Sequence, residues 1–98
     1  MQTNDWRNED TASLFEAVLS LQTTDEAAAF FRDLCTLREL NDLSHRWAVA
    51  RLLEEGLPYR EISERTGAST ATVTRINQWL QHGAGGYRLA LERAKGSR

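Results

Sequence analysis

Gly67-Ala68-Ser69-Thr70-Ala71-Thr72-Val73-Thr74-Arg75-Ile76 places a helix stop, a helix cap and the start of a second helix in immediate succession. Gly67 ends the short helical pattern Tyr59, Ile62, Ser63, Thr66, and glycine accepts the left-handed backbone that so sharp a stop requires. Ser69 follows at the position where a hydroxyl accepts from the free amides of the next helix, which predicts an N-cap. Val73, Ile76 and Leu80 then recur at helical spacing as an inward stripe, leaving Thr70, Ala71, Thr72, Thr74 and Arg75 to the ends and the outer face. Two helices joined by a short glycine-containing turn form a helix-turn-helix. Threonine is a poor helix former, so a threonine-rich outer face calls for a reason. Contact with phosphates and thymine methyl groups is such a reason; the plainer alternatives are a hairpin that only packs and a solvated face.

Outward from this segment, 98 residues predict one small domain, with about 9–56 serving dimerisation, about 58–82 the helix-turn-helix and 87–94 a last helix. Residues 1–5 lack the basic start and apolar run of a signal peptide, and no long apolar stretch occurs, so a cytoplasmic protein away from membranes is expected. The single cysteine, Cys35, cannot form an internal disulfide and falls at the end of an apolar stripe, where burial as a small hydrophobe is expected. The net charge is −2, but its distribution is polarised. Residues 1–44 carry three basic against nine acidic side chains, and residues 45–98 nine against five, giving −6 and +4. Phosphate neutralisation is local, so a basic half holding the helix-turn-helix is compatible with a nucleic-acid partner.

Periodicity predicts six helices and no strands. The first spans about 9–21 with Leu14, Phe15, Val18 and Leu19 or Leu21 inward. Thr23 with Glu26 reads as a capping box opening a second helix that buries Ala27, Phe30, Phe31 and Leu34. Thr36 with Glu39 opens a long third helix with Leu40, Leu43, Trp47, Val49 or Ala50, and Leu53 inward, running to Gly56. Gly56-Leu57-Pro58 is a break, with the only proline placed at the start of the fourth helix, 59–66. The fifth runs from 69 or 70 to 82 and the sixth over 87–94, with 95–98 frayed. The first two helices carry more apolar surface than the others can cover, which points to interlocking with a second copy.

The order of these pieces resembles the Trp-repressor superfamily. Phe30-Phe31-Arg32-Asp33-Leu34-Cys35-Thr36, His45-Arg46-Trp47-Ala48-Val49-Ala50-Arg51-Leu52-Leu53 and Thr66 to Arg75 are similar to its YerC/YecD-like branch. The resemblance covers nearly the whole chain and implies an all-α, intertwined homodimer with two DNA-reading heads acting as a transcription regulator, a repressor by analogy. It places Arg60 where the Trp repressor has a base-contacting arginine, and Thr70, Ala71, Thr72 and Thr74 on recognition positions, while Ser63 replaces a phosphate-binding lysine. At the corepressor site it places an altered pocket of Cys35, His45, Arg75, Ile76 and Trp79. Arg75 matches one stacking arginine, His45 replaces the other, Ile76 stands for a glycine and Trp79 for a small serine. Ile76 and Trp79 are expected to crowd that slot, and L-tryptophan is not expected to bind usefully. Trp79 either fills the pocket from within or is a core or interface residue.

No cofactor, metal cluster or catalytic pair is expected. His45 and His82 stand far apart, Glu54-Glu55 reads as a solvated helix end, and Gly83-Ala84-Gly85-Gly86 follows a helix where a phosphate loop would follow a strand. The runner-up is a helical interaction module whose helix-turn-helix docks another protein; salt-dependent duplex binding separates the two.

Overall fold

A computed structural model describes residues 6–96, so the expectations for residues 1–5 and 97–98 lie outside it. Six helices follow in order: α1 (Glu9–Ser20), α2 (Thr24–Leu34), α3 (Leu37–Glu54), α4 (Tyr59–Thr66), α5 (Thr70–His82) and α6 (Gly86–Gly96). Among the described residues there is no strand, and no helix is long and apolar enough to cross a membrane. The chain divides into two compact units, Met1–Leu40 and Asn41–Arg98, with the division inside α3.

In the first unit, local capping defines the helices. Asn8 Oδ1 accepts from Thr11 N at 2.9 Å while Thr11 Oγ1 accepts from Asn8 N at 2.8 Å, a reciprocal box that opens α1. Thr23 Oγ1 accepts from Glu26 N at 3.0 Å, but Glu26 Oε1 takes the amide of Gln22, not of Thr23, so the expected box closes one residue upstream. Thr36 and Glu39 make the reciprocal pair expected of them, at 2.9 and 3.1 Å.

Neither α1 nor α2 buries a single residue. Leu14, Val18, Leu21, Ala27, Phe30 and Phe31 reach half-burial, whereas Phe15, Leu19 and Leu34 are exposed, Leu19 by 83%. The inward stripes expected for these helices are therefore only partly covered, because two short helices cannot enclose each other's apolar faces. The rings satisfy one another locally: Phe30 and Phe31 meet edge to face at 5.6 Å, as do Trp6 and Phe15 at 6.2 Å. Cys35, expected to be buried, is half-buried as the C-cap of α2, its amide donating to Phe31 O.

The core lies wholly in the second unit. Val49, Ala50, Leu52, Ile62, Val73 and Ile76 form one buried cluster, with Trp47, Leu53, Leu57, Ala68 and Tyr87 packed around it. Leu52 takes the inward place expected of Leu53, and Leu43 is exposed. Leu52 and Leu53 lie three and four residues beyond Val49 and flank the same face of the helix, so pattern alone does not choose between them. Gly56, at φ +86°, terminates α3 in a Schellman arrangement: its amide donates to Leu53 O at 3.0 Å and that of Leu57 to Leu52 O at 3.3 Å. Leu57 is thereby brought onto the core.

The C-terminal helix is tied to α3 by polar and aromatic contacts. Glu54 accepts from Arg88 at 2.7 Å and from Lys95 at 3.1 Å, which includes in α6 two residues beyond its expected end. The bonds from Lys95 and Arg88 hold the Glu54 carboxyl below the ordinary glutamate range. Tyr87 stacks on Trp47 at 6.4 Å, and burial raises its hydroxyl above the usual tyrosine range despite the nearby Arg46 charge.

Candidate nucleic-acid interface

The turn between α4 and α5 is built from side-chain hydrogen bonds as much as from glycine. Gly67 adopts φ +80°, and its amide donates to Ser63 O at 2.9 Å. The Thr66 hydroxyl donates to Ile62 O at 2.8 Å and accepts from Ala68 N at 3.1 Å, stitching the last turn of α4 to the turn itself. Sequence reasoning had Thr66 only as part of a helical pattern. Ser69 caps α5 as expected, its Oγ accepting from Thr72 N at 3.1 Å.

Val73, Ile76 and Leu80 are buried beneath α5, which turns Ser69, Thr70, Ala71, Thr74 and Arg75 to solvent. Thr72 is half-buried, and its Oγ1 accepts from the Ser69 hydroxyl at 3.1 Å. The Thr74 hydroxyl donates to Thr70 O at 2.9 Å, committing its proton to the helix and leaving its methyl and lone pairs for an outside partner. Thus Thr70, Ala71, Thr74 and Arg75 are exposed together on the outside of α5, whereas Thr72 serves the cap and borders the space behind the helix.

Arg60 stands exposed in the first turn of α4. It does not pair with Glu64; the i,i+4 pair of α4 is Glu61 with Arg65 at 2.8 Å. Acid before base is the favoured direction on a helix, and Arg60 to Glu64 runs the other way. Among the described residues neither Arg60 nor Arg75 makes an ion pair. The helix α5 contains no carboxylate at all, so its N-terminal amides and dipole act on a partner without local negative charge. Ser63 contributes nothing to this surface, since its hydroxyl is buried without a hydrogen-bond partner.

Behind α5 lies a cavity of about 400 Å³ bordered by α3 residues Asp42, His45 and Arg46 and by Arg75, Ile76 and Trp79. That volume falls within the range of small-molecule sites. Of the altered-pocket residues, four are brought together; Cys35 belongs to the first unit and is not among the lining residues. The crowding expected of Ile76 and Trp79 does not close the space. Ile76 is 1% exposed and spends its side chain in the core, while the Trp79 indole forms wall without filling the cavity and remains 44% exposed. Asp42 and Arg46 went unnoticed in the sequence, where their only signal is placement within one helical turn of His45. A second, shallower concavity of about 500 Å³ runs along the outer face of α5, bordered by Ala71, Thr74, Arg75, Gln78, Trp79 and His82. Among the described residues no group of three or more His, Cys, Asp or Glu side chains is arranged to hold a metal.

Comparison with known proteins matches residues 9–95 to the family model of the Trp repressor protein. The uncharacterized protein YerC of Bacillus subtilis (strain 168) is 43% identical over 95 residues, spanning 97% of this chain and 91% of its own. The crystal structure of a TrpR-like protein from Eubacterium eligens ATCC 27750 superposes with a TM-score of 0.90 at 44% identity, covering 95% of this chain and 96% of that one. A proposed Trp repressor from Staphylococcus aureus superposes with a TM-score of 0.89 at 39% identity, covering 97% and 95%.

Proposed function

From the premise that this chain belongs to the Trp repressor family, we propose that it is a cytoplasmic, sequence-specific DNA-binding transcription regulator, a repressor by family analogy, that works as a homodimer. The observation that carries this reading is the outer surface of α5: Ser69, Thr70, Ala71, Thr74 and Arg75 exposed together on a helix without a carboxylate. Inserted N-terminus first into a major groove, such a helix presents Thr70 and Ala71 to base edges, while the positive end of its dipole is favoured by the phosphates that flank the groove. It brings Thr74's methyl to thymine methyls and leaves Arg60 and Arg75, which make no ion pair among the described residues, for phosphate or guanine. Thr72 holds the helix start in shape and can still donate its own hydroxyl proton.

The homodimer is supported by the first unit. Helices that bury nothing, and that expose Phe15, Leu19 and Leu34, need an apolar partner, and Leu37 at the start of α3 is exposed beside them in sequence. A two-fold dimer supplies one and sets two reading heads at successive half-sites about one DNA turn apart. In this reading residues 9–56 serve dimerisation and 58–82 read DNA, within one domain. L-tryptophan is not an effective ligand here, because His45 is a weaker carboxylate and stacking partner than an arginine. The Asp42 carboxylate also faces the same cavity. Micromolar binding of L-tryptophan in a calorimetric titration would refute that part.

The test of the whole reading is selection of duplexes from genomic fragments by the purified protein, followed by titration from low to physiological salt. Steep weakening of a specific complex with salt is expected. No enriched duplex, together with a stable complex with another protein, would overturn it in favour of an interaction module.

A further inference from the structure

Trp79 is the large apolar side chain that α5 leaves on its surface, 44% exposed, at the far end of the outer concavity. Ala71, Thr74, Gln78 and His82, with Arg75 and Trp79, follow one another at intervals of three and four, so the two aligned rows continue the proposed reading surface toward the helix C-terminus. An α-helix rises about 1.5 Å per residue, which puts Trp79 about 13 Å behind Thr70. The major groove is only about 8.5 Å deep. With Thr70 and Ala71 at base edges, the Trp79 backbone therefore stands about 5 Å outside the groove, and because helical side chains lean back toward the N-terminus its indole reaches down to the sugar–phosphate rim. An indole offers one N–H donor and no acceptor, and a phosphate oxygen is the acceptor found there. No carboxylate on α5 opposes the approach, and Arg75, one turn closer to the bases, makes no ion pair among the described residues.

We propose that Trp79 is a DNA-backbone contact, its N–H donating to a phosphate and its ring lying against the adjoining sugar, which fixes how deeply α5 enters the groove without reading sequence. The proposal rests on the DNA-reading function above. Its distinguishing mark is that the contact is neutral: it strengthens binding without releasing a counterion, unlike an arginine or lysine.

The test uses the full-length protein and a duplex enriched by the wild type, with dissociation constants measured over a range of salt for wild type, Trp79→Phe, Trp79→Ala and Trp79→Lys. Trp79→Phe keeps a ring and loses the N–H; it should weaken binding about tenfold on matched and mismatched duplexes alike. The slope of log K against log salt should stay unchanged. Trp79→Lys should recover affinity at low salt and steepen the slope by about 0.9 per protomer, nearly two for a dimer. Wild-type affinity in both Trp79→Phe and Trp79→Ala, a loss confined to one base pair, or an unchanged slope in Trp79→Lys would each overturn the proposal while leaving the DNA-reading function standing. Absence of any duplex binding by the wild type would overturn both. If Trp79→Ala fails to fold, the phenylalanine and lysine variants decide.

Discussion

Replacing Ile76 with glycine, the residue that the resemblance to the Trp repressor places at this position, should unfold the helix-turn-helix and should not open a ligand slot. Ile76 is 1% exposed and packs in a cluster with Val49, Ile62 and Val73, all fully enclosed. Truncating such a side chain to alanine costs about 2–5 kcal/mol through lost burial and the cavity left behind. Glycine in a helix interior adds about 1 kcal/mol. The sum, about 3–6 kcal/mol, is comparable with the whole stability of a small domain, about 5–15 kcal/mol. Urea denaturation followed by helical circular dichroism, at fixed protein concentration because a dimer's stability depends on it, should show the midpoint of Ile76→Gly moved to very low denaturant. Ile76→Val should lose only about 0.5–1.5 kcal/mol. A glycine variant within 1 kcal/mol of the parent that also binds L-tryptophan in calorimetry would refute the view that Ile76 has passed from ligand pocket to core.

Gly67→Ala should destabilise by roughly 1–2 kcal/mol, since nothing crowds the position and the cost is that of the left-handed backbone alone; a thermal midpoint equal to wild type would contradict it. Phe15→Glu with Leu34→Glu should halve the mass measured by light scattering, because both side chains are exposed in a unit that buries nothing in α1 or α2; an unchanged dimer mass would remove the support for that face as the interface. Glu54 is held below the ordinary glutamate range by Lys95 and Arg88. Its stabilising contribution is therefore complete above that range and lost as pH falls through the lowered value. Glu54→Gln should accordingly flatten the acid limb of a stability-against-pH profile, and an identical limb in both proteins would show that the clamp carries no proton linkage.

Much of the reading head was legible because its rules are local. Gly67, Ser69 and the Val73, Ile76, Leu80 stripe each follow from backbone or periodicity within one turn, and α4 has the bounds expected of it. Thr36 and Glu39 likewise closed the box their spacing suggested. The cap of α1 escaped notice because Asn8 pairs with a threonine where glutamate is the usual third residue. In α3 the pattern left Val49 or Ala50 open and pointed to Leu53, whereas Val49, Ala50 and Leu52 are all buried; Asp42 and Arg46 beside His45 were not singled out. What reaches the outside of α5 depended on packing: Leu80 and Ile76 occupy the inward stripe and leave the Trp79 indole at the surface, which sets aside a core role and is what an interface residue shows in a single chain. The side chain of Ser63 is likewise turned inward by packing, a direction that the sequence does not display.

Among the described residues the first buried side chain in the chain is Val49, so about half of the polypeptide is synthesised, and emerges, ahead of any core residue. At roughly 5–20 residues per second that half waits for seconds with Phe15, Phe30, Phe31 and Leu34 unprotected. Its net charge, −5 over residues 1–48, gives neighbouring nascent chains a mutual repulsion during that wait. The acidity of the N-terminal half thus acts first, in electrostatic terms, between chains that have no core yet.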